Sequence, residues 1–224
     1  AIERHCIPRG APRMNWRDSI FSGRELTPRE RLTIAIFIAI GAGLATWLAF
    51  MRRPEMLARD FTYPLRGAQA IIEGLDPYEV IRPSGPPPYD WPFMYPLTAA
   101  LVAVPFAPLP MQVAGVLFVM LSVGAFVYFM SKGGLGRCWA LLSVPFCMSV
   151  VLAQWGPLLM AGVMTPFLGW ALAAKPTIGL ALFAYRPSWK SAVAALALVA
   201  LAFLVQPSWL SEWVVVARSL EGHP

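Results

Sequence analysis

The chain reads as all-α, a polytopic integral membrane helical bundle. Three observations predict this. Of 224 residues, 58% are hydrophobic and only 13% charged, where soluble domains carry about 25% charged residues. Two uncharged runs of twenty residues, 32–51 and 111–130, are long enough to cross a hydrocarbon core of about 30 Å. The positive charge is also clustered, with seven arginines before residue 32: Arg4, Arg9, Arg13, Arg17, Arg24, Arg29 and Arg31. Lipid offers no partner to an open backbone, so the spans are helices.

Residues 1–31 read as a polar cytoplasmic arm, since basic clusters stay inside. Residues 32–224 read as one membrane-embedded domain. No basic face with interleaved aromatics follows the arm, so nucleic acid is not an expected partner. The chain starts at Ala1, and Met14 is a second possible start. The first apolar run has no small-residue cleavage site and is followed by Arg52 and Arg53, so it reads as a retained span.

Thr27-Pro28-Arg29-Glu30 predicts the start of the first helix: a capping Thr, a Pro at the first helical position and a Glu three residues after the Thr. Residues 52–95 are the first external loop, with six acids and five arginines. Within it Thr62 is expected to cap a short amphipathic helix, with Pro64 in its first turn and Gly74 at its end. Leu65, Ala68 and Ile72 share one face and Arg66, Gln69 and Glu73 another, which suits a helix lying on the membrane surface. Pro83, Pro86, Pro87, Pro88, Pro92 and Pro96 then stiffen the loop. Tyr89, Trp91, Phe93 and Tyr95 are interleaved with them like an interfacial aromatic belt.

Residues 98–109 are apolar but short and carry Pro105 and Pro108, so they read as a partly inserted helix. Residues 111–130 form a clean span. Lys132 and Arg137 bracket a glycine-rich cytoplasmic loop, and residues 139–153 return outward to Gln154-Trp155-Gly156-Pro157. From 158 two readings stand. Residues 158–174 are either one straight span or, broken at Thr165-Pro166, a hairpin of half-helices that returns Lys175 to the outside. Ten apolar residues then precede the basic pair Arg186 and Lys190, and the charges favour the hairpin. Residues 192–205 cross outward, and Trp209 and Trp213 mark the outer interface. The chain then stops in a polar loop at 220–224, which reads as a C-terminal truncation of a longer protein.

Two residues carry the chemistry. Asp60 follows the first span, where a carboxylate meets both lipid-borne and aqueous molecules and can act as a base. Its plainer reading is a helix cap, or an ion pair with Arg59 or Arg66. Lys175 is an isolated cation between apolar runs, costly unless paired or functional. Its natural ligand is a phosphate, and its plainer reading is snorkelling to the interface. Asp76-Pro77-Tyr78 reads first as a capped turn. Tyr95 reads as an anchor or a groove residue, and Gln154 as an interhelical contact or a substrate contact. Arg66 is a second candidate for the phosphate. Cys6, Cys138 and Cys147 have no disulfide or zinc spacing, and His5 and His223 stand near opposite ends. No metal and no cofactor is expected.

The order of these features resembles the C superfamily of polytopic glycosyltransferases, and within it glycosyltransferase family 87. The matching residues are Asp60-Phe61 with Tyr63, Gly74-Leu75-Asp76-Pro77-Tyr78, Phe93-Met94-Tyr95-Pro96, Gln154 and Lys175-Pro176. The resemblance covers about residues 32–190. Family members usually carry an Asn shortly after the Gln, where this chain has Trp155-Gly156-Pro157, and their segment up to the Lys is longer. The later helices of a full enzyme are also missing.

The resemblance implies a polyprenyl-phosphate sugar donor, hexosyl and specifically mannosyl transfer, and a lipid or glycan acceptor on the extracytoplasmic side of a bacterial inner membrane. It implies Asp60 as general base, Lys175 and Arg66 on the leaving phosphate, and inversion at the anomeric carbon. Asp76, Tyr78, Tyr95 and Gln154 would line the substrate site. The rival expectation is a non-enzymatic membrane protein, a transporter or flippase-like subunit. That class places charges near mid-membrane on several helices, whereas here the acids gather in one loop.

Overall fold

The computed structural model describes residues 25–52, 59–83 and 91–221, and every regular element among them is helical. The Arg-rich arm through residue 24, the run Pro86-Pro87-Pro88-Tyr89 and His223 lie outside the described residues.

Helix α1 (Pro28–Arg52) starts where the capping pattern predicts. The Thr27 N–H donates to Glu30 Oε2 at 2.9 Å, and the Glu30 N–H donates to Thr27 Oγ1 at 3.3 Å. Helix α5 (Met111–Met130, numbered in chain order with those below) spans the predicted residues. The two pack antiparallel along a seam of small residues on α1 (Ala35, Ala39, Ala42, Gly43 and Thr46), which lets the backbones approach. Arg31, at the start of α1, donates from Nε and Nη2 to the Tyr128 carbonyl near the end of α5, at 2.9 and 2.6 Å. On its outer side α1 exposes Leu32, Ile36, Phe37, Ile40, Leu44 and Leu48. The stretches Pro28–Arg52 and Met111–Gly133 are long and apolar enough to cross a membrane, and two bent helix pairs raise the number to four if each is one span.

Between α1 and α5 lie α2 (Arg59–Ile72), α3 (Pro77–Val80) and α4 (Leu97–Ala103), the last followed by a 3₁₀ turn, Val104–Phe106. The sequence expectation for α2 needs three corrections. The helix begins three residues before Thr62, so Thr62 does not cap it and Asp60 sits in its first turn, where a carboxylate suits the positive end of the helix dipole. Pro64 is inside the helix rather than at its start. Ile72 is 57% exposed, and the buried stripe is instead Phe61, Leu65 and Ala68, spaced i, i+4, i+7 and packed against protein, with α4 as the principal neighbour. The predicted end holds. Gly74 takes φ +72° and Leu75 N–H donates back to Ala70 O at 2.8 Å, a Schellman closure.

The return segment is not one helix over 139–153. It is a 3₁₀ segment, Leu135–Leu142, then α6 (Val144–Val151). Ser143 caps α6 by accepting from the Phe146 N–H at 3.4 Å, and Pro145 has no N–H with which to extend the turn before it. Thr46 Oγ1 donates to Val150 O at 2.9 Å and pins α6 to α1. Helix α7 (Gly156–Met164) then bends 115° away from α6.

A hairpin follows, as the charges favour. Thr165 is extended, and the 3₁₀ segment Pro166–Ala174 runs back alongside α7. Met164 and Leu168 at its bend pack with Phe126 and Met130 near the Arg31 end of the bundle. Both ends of the hairpin, Trp155 and Lys175, reach Asp60. Next come α8 (Pro176–Tyr185), α9 (Trp189–Val205) and α10 (Trp209–Glu221), with a 96° bend between the last two. The chain is therefore helical through Glu221, where the sequence reads as a polar loop. Trp209 is buried against protein, and Trp213 Nε1 donates to Met94 O at 3.0 Å.

Candidate functional site

The site is built around the first turn of α2. Lys175 Nζ lies 2.9 Å from Asp60 Oδ2, and each side chain is 26% exposed. The Tyr95 hydroxyl donates to Asp60 Oδ1 at 2.7 Å. Lys175 Nζ also stands 5.7 Å from the Tyr95 ring centroid, within cation–π range. One carboxylate therefore holds an ammonium on one oxygen and a phenol on the other. Asp60 and Lys175 are partly open, so a bound molecule can reach them, while Tyr95 is buried behind the carboxylate.

Pro64 explains the rest of the geometry. A helical residue at position 64 would normally give its N–H to the carbonyl of residue 60, and proline has none to give. A buried carbonyl without a donor is costly. Trp155 supplies the donor, its indole Nε1 lying 3.3 Å from Asp60 O. Below the carboxylate, Phe61 stacks on Phe118 at 4.0 Å between ring centroids, and Phe118 meets Trp155 edge-on at 5.1 Å. The aromatic contacts hold the backbone of Asp60 from one side while Tyr95 and Lys175 hold its side chain from the other. Ala153, two residues before Trp155, has φ +48°, the left-handed conformation that bends the chain into this corner.

Tyr95 is itself fixed. Its carbonyl accepts from the Tyr78 hydroxyl at 3.0 Å. Tyr78 is held by the turn in which Asp76 Oδ1 accepts from the Tyr78 N–H at 2.8 Å. Asp76 is therefore a cap, its plainer sequence reading, and Tyr78 supports Tyr95 from behind. Burial pushes both phenols well up from their usual range. For Tyr95 the Asp60 carboxylate adds to the effect, and for Tyr78 Glu212 and then Asp76 do. Both therefore stay protonated as hydrogen-bond donors at neutral pH.

The structure thus brings together Asp60, Lys175 and Tyr95 of the sequence candidates, with Tyr78 and Asp76 behind them. Among the described side chains Lys175 pairs with Asp60 and Arg66, considered from sequence, does not; the Arg59 side chain, the other candidate, lies outside the described residues. Arg66 is exposed and donates to Gln69 Oε1 at 3.0 Å. Gln154 remains by its own turn, where its Oε1 accepts from Ser149 Oγ at 3.3 Å. The residue that sequence reading missed is Trp155. Its signal was Pro64, which announces a carbonyl in need of a donor, but nothing local says which side chain answers.

A cavity of about 780 Å³ lies between α1 and residues 135–151, and none of the Asp60 cluster lines it. Among the described residues no three His, Cys, Asp or Glu side chains gather closely enough to hold a metal ion. No protein-family model, curated protein or solved structure matches the chain.

Proposed function

We propose that this chain is a membrane-embedded glycosyltransferase domain that moves a hexosyl group, mannosyl by the family resemblance, from a polyprenyl-phosphate donor to an acceptor hydroxyl. Asp60 is the general base. The observation that carries the reading is the Asp60–Lys175 pair at 2.9 Å, drawn from residues 115 positions apart. A base and a cation side by side match the two ends of such a displacement, a proton to remove and a phosphate to stabilise.

The reading places the chain as a polytopic bundle in a bacterial inner membrane. The arginine-rich end is cytoplasmic and the Asp60 end extracytoplasmic, in line with the basic residues around α1 and the loop after α5. Lys175, 2.9 Å from Asp60 Oδ2, neutralises the carboxylate. The donor's phosphodiester carries one negative charge, as the carboxylate does, and shares Lys175 with it, leaving Oδ2 able to accept a proton; the second charge that builds on the leaving phosphate then draws Lys175 across. Asp60 then takes the acceptor hydroxyl proton as the oxygen attacks the anomeric carbon. The bond from that carbon to the phosphate oxygen breaks, and the electron pair leaves on a phosphate stabilised by Lys175. Attack opposite the leaving group inverts the anomeric centre. Tyr95 keeps its proton and orients the carboxylate.

The test is sugar transfer by membranes containing the full-length protein, with radiolabelled polyprenyl-phosphate mannose as donor. At equal expression Asp60→Asn is expected to lower transfer by about a hundredfold or more, the scale of a lost general base. Equal transfer by both proteins removes Asp60 from the chemistry. No transfer by either removes this donor and favours the transporter class.

A further inference from the structure

We propose that Arg31 and the loop after α5 form a binding site for the phosphodiester headgroup of an anionic phospholipid, at the end of α1 away from the Asp60 corner. This rests on the membrane placement just proposed and not on the sugar-transfer chemistry. Tyr128, at this end, and Phe118, below Asp60, stand ten residues apart on α5, about 15 Å along its axis.

Arg31 is 8% exposed, yet among the described residues no carboxylate pairs with it. Its neighbour Glu30 is turned to Thr27, accepting from the N–H and from the hydroxyl at 2.9 Å. Part of the guanidinium is explained. Nε and Nη2 cap the last turn of α5 through the Tyr128 carbonyl, and the cation lies 4.2 Å from the Tyr128 ring centroid. A helix C-terminus offers about half a negative charge, and a ring face carries no net charge. Nη1 has no acceptor among the described residues. It is not sealed in the interior either, since Trp209 Nε1 is the one fully buried side-chain donor left unpaired among those residues. A planar cation with donors to spare therefore reaches the surface, and a phosphate accepts such a fork through two oxygens.

The surroundings favour a lipid over a soluble anion. Arg31 directly precedes the apolar run 32–51, and Leu32 and Ile36 just after it are exposed. A cation at the start of such a run stands at the level where hydrocarbon gives way to headgroups. The loop after α5 supplies the second wall. Ser131 donates to the same Tyr128 carbonyl at 3.2 Å, and the exposed Lys132 is next in the chain. A Cβ on Gly133 would strike the Arg137 guanidinium, so the glycine lets that cation fold back over the loop. Between Trp91 and Ser211 the sequence contains no Asp or Glu, so neither Lys132 nor Arg137 has an acid in its own segment to answer it. Cations gathered at one end of a bundle, around an arginine without a counter-ion, suit an anionic headgroup.

The test is lipid binding to the detergent-solubilised full-length protein, read as bound-lipid occupancy by native mass spectrometry. Dioleoyl phosphatidylglycerol is the probe, dioleoyl phosphatidylcholine the chain-matched control, and inorganic phosphate the soluble competitor. Phosphatidylglycerol is expected to bind about tenfold or more tighter than phosphatidylcholine, the scale of hydrogen bonds between charged groups. Arg31→Gln should remove that preference. Lys132→Gln should lower it about fivefold, the scale of one cation near an anionic surface. Circular dichroism and thermal unfolding show which variants are folded. Equal binding of the two lipids overturns the proposal, and so does an unchanged preference in folded Arg31→Gln. If Arg31→Gln does not fold, an unchanged preference in Lys132→Gln overturns it instead. Displacement of phosphatidylglycerol by millimolar phosphate overturns the lipid assignment in favour of a soluble anion. None of these outcomes requires sugar transfer, so a failure here leaves the Asp60 test standing and a failure there leaves this one.

Discussion

Both oxygens of Asp60 are engaged, one by Lys175 and one by Tyr95. Of these, the Tyr95 bond is the one that persists through the proposed reaction, because a raised phenol does not release its proton near neutral pH. The same property gives a pH dependence. A phenol whose folded value is raised contributes stability that is whole below its unfolded value near 10, and that stability is lost as pH rises above it. Tyr78 and Tyr95 are both raised, so together they should cost about 2.7 kcal/mol per pH unit above that point. Tyr95→Phe should roughly halve that slope, read as the fall in unfolding midpoint between about pH 9 and 11. An unchanged slope would mean the phenol is not held by burial and Asp60. At this scale the sequence was informative about identity but not about pairing. A carboxylate after a first span and a lone cation between apolar runs are each visible locally. That they touch is not, because 115 residues separate them.

Among the elements, the hairpin from α7 to α8 decides whether Lys175 arrives at all. Pro166–Ala174 and α8 meet so closely at Gly179 that a Cβ there would run into the Leu172 carbonyl. The obstacle is backbone, which cannot swing aside as a flexible side chain can. Gly179→Ala is therefore expected to destabilise the protein by about 1–3 kcal/mol. The check is a denaturant midpoint in detergent; a neutral effect would show that the junction between Leu172 and α8 repacks freely. Capping chemistry was readable for α1 because Thr27 and Glu30 are three residues apart and answer each other locally. It misled for α2. Thr62 looked like a cap, yet the helix reaches back to Arg59 because Asp60 suits the first turn and Trp155 satisfies the carbonyl that Pro64 leaves open.

Across the whole molecule, the Asp60–Lys175 contact joins the loop helices to the hairpin, and Trp155 ties the other end of the hairpin to the same residue. The pair is partly solvated, which limits its worth, but removing one partner leaves the other half-buried and uncompensated. A double-mutant cycle with Asp60→Asn, Lys175→Gln and the double variant should give a coupling of about 1–2 kcal/mol in unfolding free energy. A coupling near zero would show that the pair carries no structural weight.

The sequence by itself determined the helical class, the limits of α1 and α5, the closure of α2 at Gly74, the turn capped by Asp76, and that Asp60 and Lys175 stand out as charges beside apolar runs. Each of these follows from short-range causes: hydropathy over twenty residues, side chains three or four positions apart, a proline or a glycine. Only the tertiary structure decided that Lys175 faces Asp60, and that Tyr95 and Trp155 complete that corner while Arg66 turns to Gln69. Those depend on how separate helices pack. Packing is set by shape and by which unsatisfied group finds which donor across the bundle, and no local window of sequence contains both partners.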